Sequence, residues 1–207
     1  MTSNFGTAVD CIDCTSGQLP ENFEALDKPY LLKGLVSHWP IVKAAKQSNE
    51  AAVEELLNHY SGDPVGAFLA HAEAGGRFFY NDNVDGFNFI QSNVYLNEIL
   101  QKLLELQGQT EVPTYYVGSL EIQEALPGFL NSNDLPLNYE NIRKSIWLGN
   151  RSLVATHYDF PDNIACCVLG QRRFTLFPPE QLENLYVGPL DLTPAGQQIS
   201  MVDIRNP

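Results

Sequence analysis

Positive charge is scarce in this chain. Lys and Arg number 12 against 25 Asp and Glu, a formal net charge of −13 over 207 residues. A nucleic-acid-binding surface needs clustered cations to displace counterions, and adhesion to an anionic membrane needs them too. Neither partner is expected. Long apolar runs are also missing, and none suffices to span a bilayer. Met1-Thr2-Ser3-Asn4-Phe5-Gly6 has no basic stretch leading into an apolar one, so no secretory signal is read there. A cytoplasmic location is the expectation. Cysteines are few, at four. Cys11 and Cys14 form one CxxC, whereas a zinc ribbon needs a second such pair. Gly17 and Pro20 follow where a redox CxxC would open a helix. The pair is read as chance spacing, or at most a labile surface disulfide. Cys166 and Cys167 are adjacent in an apolar run. Strand neighbours face opposite ways, so these two are read as small buried hydrophobes.

Core material is present. The chain is 44% hydrophobic and 11% aromatic, which excludes a disordered polymer. Its length fits one domain. Residues 1–30 carry several turn formers and are expected to wrap a surface. Residues 29–32 read as a short strand ended by Gly34. A helix is expected over 48–60, capped by Ser48, with Val53, Leu56, Leu57 and Tyr60 on one face and Gly62 at its end. Residues 65–69 and 77–80 read as strands around a Gly75-Gly76 turn. Leu96, Ile99, Leu100, Leu103 and Leu104 mark a second amphipathic helix, stopped near Gly108. From Tyr115 onward strand-like runs recur, at 115–117, 145–148, 153–157, 164–169 and 173–177, with Gly, Asn and Pro between them. That spacing suggests an antiparallel sandwich or barrel. The fold class is therefore mainly β (α+β): a mixed helix and strand region over 1–140, then the opening strands of a sandwich over 141–207. No internal repeat is visible.

The chemistry centres on Thr156-His157-Tyr158-Asp159. On an extended segment, His157 and Asp159 share one face. An imidazole and a carboxylate there are two members of the 2-His-1-carboxylate triad that holds non-haem Fe(II). A lone His or HxD is commonplace, so context decides. Asn163 places an amide just before an apolar run. Gly170-Gln171-Arg172-Arg173-Phe174 then opens another strand with two arginines. An inward arginine needs an anion, and a dicarboxylate matches the guanidinium fork. Pairing with one of the many acids, or snorkelling to water, is the plainer alternative.

These residues, with Trp147-Leu148-Gly149-Asn150, Leu176-Phe177-Pro178-Pro179, Leu185-Tyr186-Val187-Gly188-Pro189 and Ser200-Met201-Val202-Asp203, resemble the cupin-like branch of the JmjC-type Fe(II)/2-oxoglutarate oxygenases. That group includes the asparaginyl hydroxylase acting on hypoxia-inducible factor. Pro29-Tyr30-Leu31-Leu32-Lys33-Gly34-Leu35, Trp39-Pro40 and Arg77-Phe78-Phe79-Tyr80 fit the same pattern. The resemblance implies a double-stranded β-helix (jelly roll, cupin) and a hydroxylase using Fe(II), 2-oxoglutarate and O2. Its substrate would be a protein side chain or a small molecule. By position, it implies His157 and Asp159 as metal ligands. It places Arg172 where relatives carry a basic residue, usually Lys, for the distal carboxylate of 2-oxoglutarate, with Arg173 the alternative if the register slips. Tyr116 resembles a tyrosine that helps hold that carboxylate, though a core aromatic is equally expected there. Asn163 resembles a pocket asparagine, and Thr156 stands beside Val154, where some relatives have a hydroxyl.

One departure matters. In the family the second iron His lies on a later strand, and no His follows Asp159 here. His38, His59 and His71 all lie upstream, and only His71 is a candidate ligand. The chain is therefore expected to be a fragment. It would lack the distal His, the closing strands and the C-terminal helices that form a homodimer in some full-length relatives. Weak iron binding is expected of two ligands. A non-catalytic cupin-like binding module is the competing reading. A cupin enzyme without 2-oxoglutarate is disfavoured, because such sites use several His ligands plus a Glu.

Overall fold

The computed structural model describes residues 6–205. Met1–Phe5, read above as carrying no signal, and Asn206 and Pro207 lie outside the described residues. Two short strands open the fold, β1 (Asp10–Asp13) and β2 (Tyr30–Lys33), paired in parallel. The N-terminal region thus adds a strand where a plain surface wrap was expected. Cys14 follows β1 and is 2% exposed, whereas Cys11 on the strand is exposed, and both are free.

Helix α1 (Pro40–Gln47) was not foreseen. Pro40 stands at its first turn, where a missing N–H costs nothing. The side chain of buried Asn133 accepts from Ile41 N at 3.1 Å and so caps the helix from a distant loop. Helix α2 (Asn49–Leu57) lies within the expected span, and Ser48 Oγ accepts from Ala51 N at 3.1 Å.

Strands β3 (Val65–Ala70), β4 (Arg77–Phe78) and β5 (Phe89–Val94) follow, then helix α3 (Leu96–Glu105). Leu96, Ile99 and Leu100 of α3 are buried, as their spacing requires. Next come β6 (Thr114–Glu121), the short helix α4 (Ile122–Ala125), β7 (Ser145–Gly149) and β8 (Leu153–Val154). An antiparallel sheet runs in the order β5-β3-β6-β7, and β4 pairs with β8 in parallel.

The four-stranded sheet has two differently used faces. Val65, Ala67, Tyr115, Val117, Ile146 and Leu148 turn towards the helices and share their core with Ile41, Leu56, Leu96 and Leu126. Full burial of a Val, Leu or Ile, as at Val65, Val117, Leu56 and Leu96, contributes roughly 1.5–3 kcal/mol. Alternation sends Phe68, Ala70, Phe89 and Tyr116 to the other face, where they pack with Phe78. That second face carries the candidate site.

The strands expected beyond β7 are corrected. The run at 153–157 pairs only over Leu153–Val154, and those at 164–169 and 173–177 form no strand. Strand geometry is stabilised by a neighbour's hydrogen bonds, and among the described residues no paired segment runs alongside these two. They are mostly exposed, including Phe174 and Leu176. Cys166 still packs against the main core, where burial pushes its thiol up to about 11. Cys167 is exposed, against the expectation of burial.

An ion cluster fastens the last described residues. Arg77 of β4 stacks its guanidinium 3.5 Å from the Phe79 ring centre and lies 3.7 Å from Asp203, which also binds Arg205 at 2.9 Å. The Arg205 hydrogen bonds hold the Asp203 carboxyl down at about 2. A folded pKa below the unfolded one stabilises the protein above the unfolded value, near pH 4, and that stabilisation fades as pH falls towards 2. The Asp203 side chain is 19% exposed, so screening trims the effect to about 1–2 kcal/mol. Asp203→Asn should lower stability by that amount at pH 7 and flatten the stability profile between about pH 4 and pH 2. Urea unfolding across that range checks it; an unchanged slope would count against the clamp.

Candidate functional site

Tyr116 is the floor of the site. It sits on β6 with its ring among Phe68 and Phe78, at centroid distances of 6.4 and 5.7 Å, and Phe89 closes the cluster at 5.3 Å from Phe68. Small neighbours make room for it. A Cβ built on Gly118 would come within 3.0 Å of the Tyr116 ring, and one on Gly149 would meet that ring at 3.1 Å.

Arg172 reaches this floor although residues 171–178 form no strand. Burial raises the pKa of the Tyr116 hydroxyl, and the nearby Arg172 guanidinium offsets part of that rise. The Arg172 guanidinium also lies 5.3 Å from the Phe174 ring centre. Arg172 is thus the arginine that lies near Tyr116. Arg173 has no such partner among the described contacts, and both arginines are exposed.

His157 and Asp159 lie just after β8, outside paired strand, and both are exposed. His157 Nδ1 is 2.8 Å from Ala155 O. A carbonyl only accepts, so Nδ1 carries the hydrogen, and in the neutral ring Nε2 is the atom able to bind a metal. Metal-binding histidines are commonly oriented in this way. Asp159 Oδ1 accepts from Gln197 Nε2 at 2.5 Å, leaving Oδ2 uncommitted. Two donor atoms thus suit a divalent metal. A third does not join them: among the described residues no group of three His, Cys, Asp or Glu side chains could hold a metal ion. His71 is an exposed residue preceding a short 3-10 turn at Ala72–Ala74, and His59 lies edge-on to Phe129 beside Glu55.

The remaining expected residues are placed differently. Asn163 is exposed, and its amide donates to Pro161 O at 3.1 Å within its own turn. Thr156 O accepts from Ser200 N at 2.8 Å, and Thr156 lines a small void beside Arg77 and Asp203. Gln197 had not been singled out. It lies 38 residues from Asp159, and no short-range pattern marks such a partner.

An antiparallel sheet with helices on one face, and an HxD segment just after β8 of the separate β4–β8 pair, are consistent with a cupin-like domain. The family model described as "Cupin-like domain" matches residues 16–207, and the chain belongs to that family. The JmjC domain-containing protein D of Dictyostelium discoideum is 35% identical over 196 residues, covering 86% of this chain and 41% of that protein. The chain is thus a mixed, β-rich domain of the cupin-like family, and it spans about two fifths of the curated relative it matches. No helix among the described residues is long and apolar enough to cross a membrane.

Proposed function

We propose that this chain carries the metal- and co-substrate-binding part of an Fe(II)- and 2-oxoglutarate-dependent oxygenase, hydroxylating a protein side chain or a small molecule. The aromatic wall around Tyr116, with the Arg172 guanidinium close by and 5.3 Å from the Phe174 ring centre, carries the reading. A guanidinium and a phenol hydroxyl meeting beside an aromatic wall form a receptor for one carboxylate. The fork binds its two oxygens, the hydroxyl donates a further bond, and Phe68, Phe78 and Phe89 keep water from the buried side. His157 through Nε2 and Asp159 through Oδ2 would hold the metal. When bound, Fe(II) would supply the activation of O2 that couples decarboxylation of 2-oxoglutarate to oxidation of a C–H bond. The chain's own residues fix the two ligands, bind the far carboxylate and shield the space between.

Titration calorimetry with 2-oxoglutarate, with Mn(II) in place of iron, tests the pair. Arg172→Ala should weaken binding roughly tenfold to hundredfold, and Arg172→Lys should recover part of it, keeping charge but losing the fork. Arg173→Ala should change little. Equal binding by native chain and Arg172→Ala would sink the assignment. Succinate released with 2-oxoglutarate consumption, and lost in His157→Ala and Asp159→Ala, tests the reaction class.

The lack of a three-ligand group among the described residues favours a second reading, a non-catalytic cupin-like binding module. That reading predicts ligand binding without succinate formation.

A further inference from the structure

We propose that Gln197 is the positioning residue for the Asp159 carboxylate. The inference rests on the reading of His157 and Asp159 as metal ligands. Gln197 Nε2 donates to Asp159 Oδ1 at 2.5 Å across 38 residues of sequence, so the bond is tertiary, not a turn. It engages one carboxylate oxygen and restricts rotation of the group. Asp159 would then offer its other oxygen to a divalent ion in a set orientation. The arrangement parallels that of His157, whose Nδ1 is occupied by Ala155 O. In each ligand, a hydrogen bond holds the atom that the metal does not need.

Gln197 is itself held on a well-fastened hairpin. Gly188 N donates to Ile199 O and Met201 N to Tyr186 O, both at 2.9 Å. Gln198 Nε2 donates to Gly188 O at 2.8 Å, and Ser200 Oγ to Leu185 O at 2.5 Å. Ser200 N ties the hairpin to Thr156 O, one residue before His157. Tyr80 OH fixes Leu192 O at 2.7 Å, and buried Ile199 packs with Ala155 and Tyr80. The backbone after Gln197 is thereby tied to the segment that leads into His157, and the backbone before it to Tyr80. Beyond Ser200, Asp203 anchors the same segment to Arg77. A loose surface glutamine would carry no such support.

Co(II) titration of the 207-residue chain, followed by visible absorption, tests the role without turnover. Native protein, Asp159→Ala, Gln197→Ala and Gln197→Met are compared, each with a thermal melt. Gln197→Met keeps the side-chain bulk and removes the donor, and it decides the matter if Gln197→Ala fails to fold. Both Gln197 variants should bind Co(II) tenfold or more weakly. They should also shift the d–d band as Asp159 becomes free to chelate, with the melting temperature unchanged. A native band and affinity in Gln197→Met would overturn the positioning role and leave the metal reading intact. A native chain with no Co(II) band sensitive to Asp159→Ala would overturn the metal reading, and this role with it.

Discussion

Gly149→Val should cost about 3 kcal/mol or more and leave much of the chain unfolded where the native protein is folded. Gly149 ends β7 and pairs with Tyr116 of β6. A Cβ built there would overlap the Tyr115 carbonyl oxygen, and it would also stand 3.2 Å from Tyr116 Cα. Both obstacles are backbone atoms of the neighbouring strand, so no rotamer change relieves them. The β6–β7 pairing must open, and Tyr116 must leave its place above Phe78. Loss of stability and loss of 2-oxoglutarate binding should therefore appear together. Gly66→Val is the control. Gly66 lies within β3, where an added Cβ meets nothing within 4 Å, so a β-branched residue there should be neutral or mildly stabilising. Equal melts for the two variants would show that crowding at Gly149 is not what constrains the sheet.

Asn133→Leu should lower stability by about 3 kcal/mol, or on the order of 10 °C in Tm. Asn133 is buried and serves two elements. Its Oδ1 accepts from Ile41 N at the start of α1, and its Nδ2 donates to Phe129 O at 3.0 Å. Leucine fills the volume but bonds neither group. The Ile41 N–H would then be buried without a partner and the Phe129 carbonyl left with only the long 3.5 Å bond from Ser132 N, at a cost of about 1–3 kcal/mol each. Guanidinium unfolding measures the loss. A change below about 1 kcal/mol would mean that water replaces the amide.

The same asparagine shows why part of the fold was hidden in the sequence. Helices α2 and α3 were legible because their own residues repeat at helical spacing and, for α2, Ser48 caps locally. Helix α1 was not, since its cap comes from a residue 92 positions away. Pro40 at the first turn was the signal available. Strands were over-read where apolar runs lacked a partner. Residues 164–169 have the right composition, yet composition cannot supply the neighbouring backbone that a strand requires. The site divides along the same line. His157 and Asp159 were legible from their spacing, Arg172 and Tyr116 took their roles from the resemblance, and the fold brings Arg172 near Tyr116. Gln197 was invisible because its partner lies across the fold. Arg77 was quoted in the family pattern without a role, and its link to Asp203 likewise depends on tertiary contact.

The pairing of β4 with β8 joins segments about 75 residues apart in sequence. Closing so long a loop carries an entropic cost before any bond rewards it, and β8 has two residues with which to offset it. The β3–β5 ladder closes over a much shorter span. During refolding, amides of Leu69 and Ile90 should gain exchange protection before that of Leu153, as pulse-labelled hydrogen exchange would reveal; simultaneous protection would refute this order. The segment carrying His157 and Asp159 is then later to dock than the β3–β5 ladder and earlier to fray. Any ion or carboxylate captured there would act as a clasp on folding itself, deepening protection of residues 153–159 in proportion to its occupancy.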